Sequence, residues 1–334
     1  MSTIADVARR AGVSKATASR ALSGNGYVSP ETRTKVQDAA NELSYIAHST
    51  ATSLATGRTH TVSVIIPSID RWFFAELLEG IQESLLSFDH DLSLYAVREG
   101  SAARSRLFAE TLPRRRFDAT IAVGIPPGSN EMEQLLSNRR PVVTVSAFDD
   151  RSSGVSIDDP TAMRIATEHL IELGHKQIFF LGGGATATEA SYSETLRMSG
   201  YRLAMDAAGL TAHAQHTPGA SSMPGGYAAA VDLLSDRRGR PTAVVAVCDE
   251  VAIGAIIAAR RLGIAVPTEL SVVGIDDHAH AEMFGLTTIQ QHPRQQGRDA
   301  VRLLRERMEH SSARVEHVVA ASALSVRSST AKPR

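Results

Sequence analysis

Lys15, Ala16, Thr17, Ser19 and Arg20 crowd into six positions near the start of the chain. If that stretch is a helix, these side chains lie on its outer face and flanks. Their chemistry is that of reading a DNA base edge. A guanidinium at Arg20 can clasp the two acceptors of a guanine, Lys15 can reach a base or a phosphate, and the Ala16 methyl can pack on that of a thymine. Hydroxyls at Thr3, Ser19 and Ser23 can bond phosphates and so fix register without reading sequence. Ser14, Ser29 and Thr32 at helix starts, together with Tyr45, complete the candidate contacts in this region.

Two short helices must hold that surface. Ile4, Val7, Ala8 and Ala11 recur at i, i+3, i+4 and i+7, one apolar stripe, and Thr3 with Asp6 three residues on reads as a capping box. Gly12 should end the first helix, because glycine takes positive φ at no steric cost. Ser14 should cap the second, with Ala18, Ala21 and Leu22 facing inward. The arrangement is a helix-turn-helix with its second helix placed to enter a major groove. Ser29-Pro30 opens a third helix, whose core face is Val36, Ala39, Ala40 and Leu43.

The text DVARRAGVSKATASRALSG, followed by VSPETRTKV, closely resembles the N-terminal headpiece of the LacI/GalR family of bacterial transcriptional regulators. The resemblance continues to Thr330. For residues 47–60 it implies a hinge helix that folds on operator DNA, two copies lying in the minor groove. Leu54 stands at the position of the wedge that opens a central base step. Ala51 matches the family, whereas His48 stands where asparagine is usual and Thr52 where arginine is common.

Composition sets the outer bounds. A chain of 334 residues is too long for one ordinary core. Hydrophobic residues at 43% and charged residues at 21% describe a globular protein. No apolar run approaches the 18 or so residues of a membrane span, and no signal segment is expected at the N-terminus. The location expected is therefore the cytoplasm, at the bacterial nucleoid. One cysteine, Cys248, excludes an internal disulfide. The net charge of −1 hides an asymmetry: residues 1–60 hold seven Lys/Arg against four Asp/Glu, so the remainder stands at −4. A basic end on an acidic body suits contact with phosphates.

From Thr61 strand-like and helix-like segments alternate. Strands are expected at 61–67, 91–97, 118–124, 141–147, 154–157, 177–181, 242–247, 270–275 and 286–290. Helices are expected at 74–88, 103–112, 130–138, 160–173, 194–208, 225–235, 249–262 and 293–309. The fold class expected is α/β: a small all-α helix-turn-helix headpiece followed by a two-lobed core of doubly wound parallel sheets. The family's core is periplasmic-binding-protein-like, with three crossovers. That implies a headpiece at 1–46, a hinge at 47–60, an N-terminal lobe at 61–158 and 291–319, and a C-terminal lobe at 159–290 and 320–331. The tail 323–330 matches the family's final strand, with no room beyond it for a tetramerising helix.

In such cores ligands bind in the cleft beyond the carboxyl ends of strands. The resemblance places Phe73 and Phe74 against effector, although both could equally pack a helix start. It gives Arg197 the role of holding effector and Asp276 that of accepting its hydroxyls. Cys248 and Ser146 fill further cleft positions, where relatives carry asparagine or serine and, in many sugar-responsive members, aspartate. These two departures predict a pocket less polar and less acidic than a typical monosaccharide site. Trp72 replaces the usual proline and could stack on a sugar or lie at the surface. Asp249 is expected to cap the helix that follows it. Leu77, Leu78, Ile81 and Leu85 could form a dimer face or lobe core.

Other constellations carry little. Gly182-Gly183-Gly184 lacks dinucleotide-binding spacing. Asp276, His278 and His280 lack the helical pairing of a zinc site, and Cys248 has no nucleophile motif. Arg114, Arg115 and Arg116 read as a solvated edge. No cofactor, metal or catalytic residue is expected. The function implied is a dimeric, operator-binding regulator, most simply a repressor, controlled by a small metabolite, a sugar or sugar derivative. A ligand carrier or an enzyme on the same scaffold is the alternative, but the first needs no headpiece and the second needs an acid/base pair that is not apparent.

Overall fold

The computed structural model describes residues 2–23, 26–45, 58–114, 117–138, 140–186, 189–310 and 313–334. The expected hinge contacts His48, Ala51 and Leu54, and also Arg115 and Arg116, lie outside them. The chain divides into two compact units, Met1–Thr61 with Arg115–Asp118, and Val62–Arg114 with Ala119–Arg334.

The first unit is built on helices α1 (Ile4–Ala11), α2 (Lys15–Ser23) and α3 (Pro30–Glu42). Thr3 and Asp6 form a reciprocal capping box, and Gly12 ends α1 at φ 68°, where a Cβ would be strained. The Ser14 hydroxyl accepts from the Thr17 N–H at 3.1 Å, and Ser29 accepts from Thr32 at 3.3 Å. Val7, Ala8, Ala18, Ala21, Val36, Ala39 and Ala40 are buried together, with Leu22, Leu43 and Tyr45 packed around them. A core of mostly alanines and valines buries little apolar area, so this unit draws modest stability from packing.

The second unit contains two six-stranded sheets. The first has the order β11-β5-β4-β3-β1-β2: β1 (Thr61–Ile66), β2 (Asp91–Ala96), β3 (Ala119–Val123), β4 (Val142–Val145), β5 (Ser153–Ser156) and β11 (His317–Val319). The second has the order β12-β10-β9-β8-β6-β7: β6 (Ile178–Leu181), β7 (Gln215–Thr217), β8 (Ala243–Ala246), β9 (Ser271–Asp276), β10 (Thr287–Gln290) and β12 (Ala323–Ser325). β1, β3, β4, β5 and β11 pair parallel, as do β7, β6, β8, β9 and β10; β12 alone of these pairs antiparallel, on β10. The chain passes to the second sheet after β5, returns after β10 and crosses once more between β11 and β12. Central strands such as β3 and β8 are buried along their whole length, which explains their unbroken apolar runs.

Helix pairs cover these sheets at backbone contact. α4 (Trp72–Leu86) meets α11 (Pro293–Glu309) where Gly80 and Gly297 face each other's backbones. A Cβ on Gly80 would stand 2.0 Å from the Arg294 carbonyl oxygen. Gly200 plays the same part between α7 (Asp159–Glu172) and α8 (Tyr192–Ala207). α9 (Met223–Ser235) and α10 (Asp249–Arg261) meet through Gly226 and Gly254.

Three expectations are corrected here, and one left open between two readings is decided. The helix over 103–112 is a short α5 (Ala102–Arg106) that widens into a π turn and ends in a 3-10 turn at Arg114. The final strand spans only Ala323–Ser325; the residues after it instead bond as side chains and irregular backbone, Ser329 to Val272 and Thr287, Ala331 to Ser271. Leu77, Ile81 and Leu85 are fully buried in the core of the first sheet and so do not present a dimer face; Leu78 packs on the same cluster. Asp249 does not cap α10, because the residue at that position is Cys248. Beyond these, β7 and β11 are three-residue edge strands absent from the expected list.

Candidate DNA-reading surface and effector cleft

On α2 the side chains of Lys15, Ala16 and Arg20 are exposed, and Thr17, Ser19 and Ser23 are half-buried on its flanks. Among the described residues of the first unit, the ion pairs Arg9–Asp6, Arg10–Glu42 and Lys35–Glu31 involve neither Lys15 nor Arg20. The recognition-helix cations are thus free of those internal partners, as a phosphate- or base-binding face requires. Gly26 lies against the Arg20 stem, its Cβ position 3.1 Å from the Arg20 Cδ, which leaves the guanidinium at the tip. Several candidate contacts have internal work as well: Thr3 Oγ1 donates to Asp6 at 2.7 Å, the Ser14 and Ser29 hydroxyls accept from Thr17 and Thr32, and Tyr45 packs on the helical core.

In the second unit Phe73, Phe74, Ser146, Arg197, Cys248 and Asp276 all line one cavity of about 300 Å³. Its walls are the segments that follow β1, β3, β4, β8 and β9 at their carboxyl ends, so residues of both sheets face it. Two side chains reach it from strained backbone: Ser146 at φ 60° directly after β4 and Asp276 at φ 142° ending β9. Non-glycine residues hold such conformations at a cost, and they gather where a side chain must be aimed. Phe73 and Phe74 meet edge to face at 5.4 Å, and both line the cavity while packing on the core of the first sheet.

Arg197 is the fixed point of the cavity. Its Nε donates to Asp159 at 2.7 Å and its Nη1 to the Val247 carbonyl at 2.7 Å, with the Asp276 carboxylate 4.0 Å away. Burial works against its charge, but Asp159 and Asp276 outweigh that and hold the guanidinium above its ordinary pKa. Asp276 also accepts from the Gln291 amide. Burial lifts its carboxyl above the usual range, against the pull of Arg197 and Arg71. The Cys248 thiol is pushed up to about 12 by burial, so it lines the wall as a neutral, weak hydrogen-bonding group. Asp249, buried beside it, accepts from the His278 N–H at 2.8 Å and from Thr288 at 2.6 Å, tying the start of α10 to the ends of β9 and β10.

The cavity is more charged than expected. Arg71, Arg98, Glu99, Glu189 and Glu194 line it alongside Ser191, Tyr192 and Ser221. Arg71 and Asp159 were not foreseen, since each acts through a partner far away in sequence. Glu194 closes a capping box with Ser191 and takes the Ser221 hydroxyl, a signal legible as S-x-x-E. Trp72 lies outside the cavity, its ring 4.9 Å from that of His278. Among the described residues no cluster of His, Cys, Asp or Glu could hold a metal ion.

Comparison with known proteins agrees with both halves. Residues 3–48 match bacterial regulatory proteins of the lacI family, and residues 167–330 match a periplasmic binding protein-like domain. Catabolite control protein A of Priestia megaterium is 31% identical over 310 residues, 92% of each chain. The chain belongs to the lacI family. Among solved lacI-type structures, the lac repressor bound to ONPG in its repressed state is 25% identical, with a TM-score of 0.83 over 98% of this chain and 99% of that one. The CelR–cellobiose complex is 28% identical, with a TM-score of 0.70 over 98% and 100%. In this lacI-family chain the helix-turn-helix is therefore a DNA-binding module of a transcriptional regulator, and the two sheets form its regulatory core.

Proposed function

We propose that the chain is a repressor that binds a palindromic operator as a homodimer, in the cytoplasm at the nucleoid, and that a small metabolite in the cleft controls that binding. The sharpest support is the convergence of six residues, spread from Phe73 to Asp276, on a single cavity between strand ends. Hydroxyl and carboxylate groups beside two edge-to-face aromatic rings suit a sugar or sugar derivative, and one solved relative carries cellobiose. Arg197, held by Asp159, would fork onto ligand hydroxyls, with Asp276 accepting from them and Ser146 and Cys248 closing the walls. Thr3, Ser14, Ser29 and Thr32 would bond phosphates, and Leu54 would wedge a central step with His48 and Ala51 in the flanking groove. Among the described residues no helix is long and apolar enough to cross a membrane.

Selection from randomised palindromes, followed by fluorescence anisotropy, tests the DNA half. A single even-length consensus should emerge. Arg20→Ala should cost about 1–3 kcal/mol per half-site and flatten the preference at one position, leaving salt-sensitive nonspecific binding. An unchanged consensus in Arg20→Ala would place recognition elsewhere.

A further inference from the structure

Arg71 occupies the turn before α4, on the first sheet's side of the cavity. Its Nε donates to Glu250, the second residue of α10, and its Nη2 reaches the Cys248 Sγ at 3.2 Å. The side chain is mostly buried, as is that of Glu250. One of its charged donors is therefore spent on the poorest acceptor in the wall, a neutral thiol. An oxygen anion in the cavity would replace that weak N–H···S contact with a charge-assisted N–H···O bond while Nε keeps Glu250.

The buried charged groups of the cavity each have partners. Arg197 is balanced by Asp159 and Arg71 by Glu250. Glu194 is taken up by donors of its own region, the Ser191 N–H and the Ser221 hydroxyl. Asp276 is flanked by both guanidiniums, and burial favours its neutral form. Arg98, Glu99 and Glu189 are exposed at the rim, where water screens them. The buried part thus has two arginine forks, each with a carboxylate partner, and it is Arg71 that spends a charged donor on a neutral thiol.

We propose that Arg71 is a selectivity residue of this cleft and that the effector it selects carries an acidic group, carboxylate or phosphate, beside its hydroxyls. This rests on the cleft being the effector site. A neutral hydroxyl gives Arg71 a single bond assisted by its own charge, whereas an acidic group adds a second oxygen and an opposite charge for the fork.

The test is thermal shift followed by calorimetry on the full chain, with matched probes at equal concentration: glucose, galactose and ribose, their sugar acids, and their phosphates. The expected result is that at least one acid or phosphate raises the melting temperature above its neutral parent. Its affinity should fall at least tenfold in Arg71→Gln and in part be restored in Arg71→Lys, which keeps the charge but loses the fork. Carboxylate and phosphate arms separate the two sources of the acidic group. The proposal is overturned if no acidic probe binds, or if its binding survives Arg71→Gln within threefold. A neutral sugar that binds through Arg197, lost in Arg197→Ala but indifferent to Arg71→Gln, would overturn it while leaving the cleft as the effector site.

Discussion

Asp159→Ala should be among the most damaging single changes in the regulatory core. Asp159 is 2% exposed and is the counter-ion of Arg197, whose side chain is 12% exposed. Removing one partner of a buried pair leaves the other charge uncompensated, typically at about 3–5 kcal/mol. Asp276, 4.0 Å from the guanidinium, recovers part of this, so the expected loss lies near the lower figure, about 3 kcal/mol. For a unit of this size each kcal/mol moves the melting temperature by roughly 2–4 °C, giving a fall of roughly 6–12 °C. Calorimetry at neutral pH reads it directly. Asp159→Leu combined with Arg197→Met removes both charges and should be more stable than Asp159→Ala alone. Effector affinity should nevertheless vanish in both, because neither retains an aimed guanidinium. A loss under about 1 kcal/mol in the single variant, or a double variant no better than the single, would refute the ion-pair reasoning.

Two further outcomes follow from packing and burial. Gly80→Ala should destabilise the core by about 1–3 kcal/mol in denaturant unfolding, because its methyl would collide with the Arg294 carbonyl of α11; an unchanged midpoint would show that α4 and α11 separate freely. His175 is buried, bonded to Thr242, Ser271 and the Ala331 carbonyl, and burial depresses its pKa. A depressed histidine resists protonation in the folded state, so its stabilising contribution is full at pH 7 and above and is lost as pH falls below the ordinary value of about 6.5. The wild-type margin over His175→Gln in urea should therefore narrow between pH 7 and pH 5, and a constant margin would contradict the assignment.

What was legible in the sequence and what was not divide along physical lines. The recognition helix was readable because capping, apolar spacing and the glycine stop are all local signals, and the helices fall where those signals put them. Long apolar runs marked the central strands, whereas β7 and β11, three residues each on sheet edges, carry no such run. The six cleft residues were named from the family resemblance, and the fold brings them to one cavity. Arg71, Asp159 and Glu250 were invisible because each matters only through a partner 38 to 179 positions away, a distance no local pattern spans. Asp249 misled for a related reason. An acid at a helix start reads as a cap, yet here Thr288 and the His278 N–H claim both its oxygens. The replacement of polar cleft residues by Ser146 and Cys248 suggested a less polar pocket. Folding supplies Arg71 and Glu194 from other elements, and the cavity is charged instead.

The central claim is that ligand in the cleft and operator on α2 are coupled. The direct measurement is operator affinity by fluorescence anisotropy, at fixed salt, with and without a saturating ligand found by thermal shift. The account predicts a change of roughly 5- to 150-fold, the same factor by which operator alters ligand affinity, and its disappearance in Arg197→Ala. A ligand that binds through Arg197 yet leaves operator affinity unchanged would contradict it.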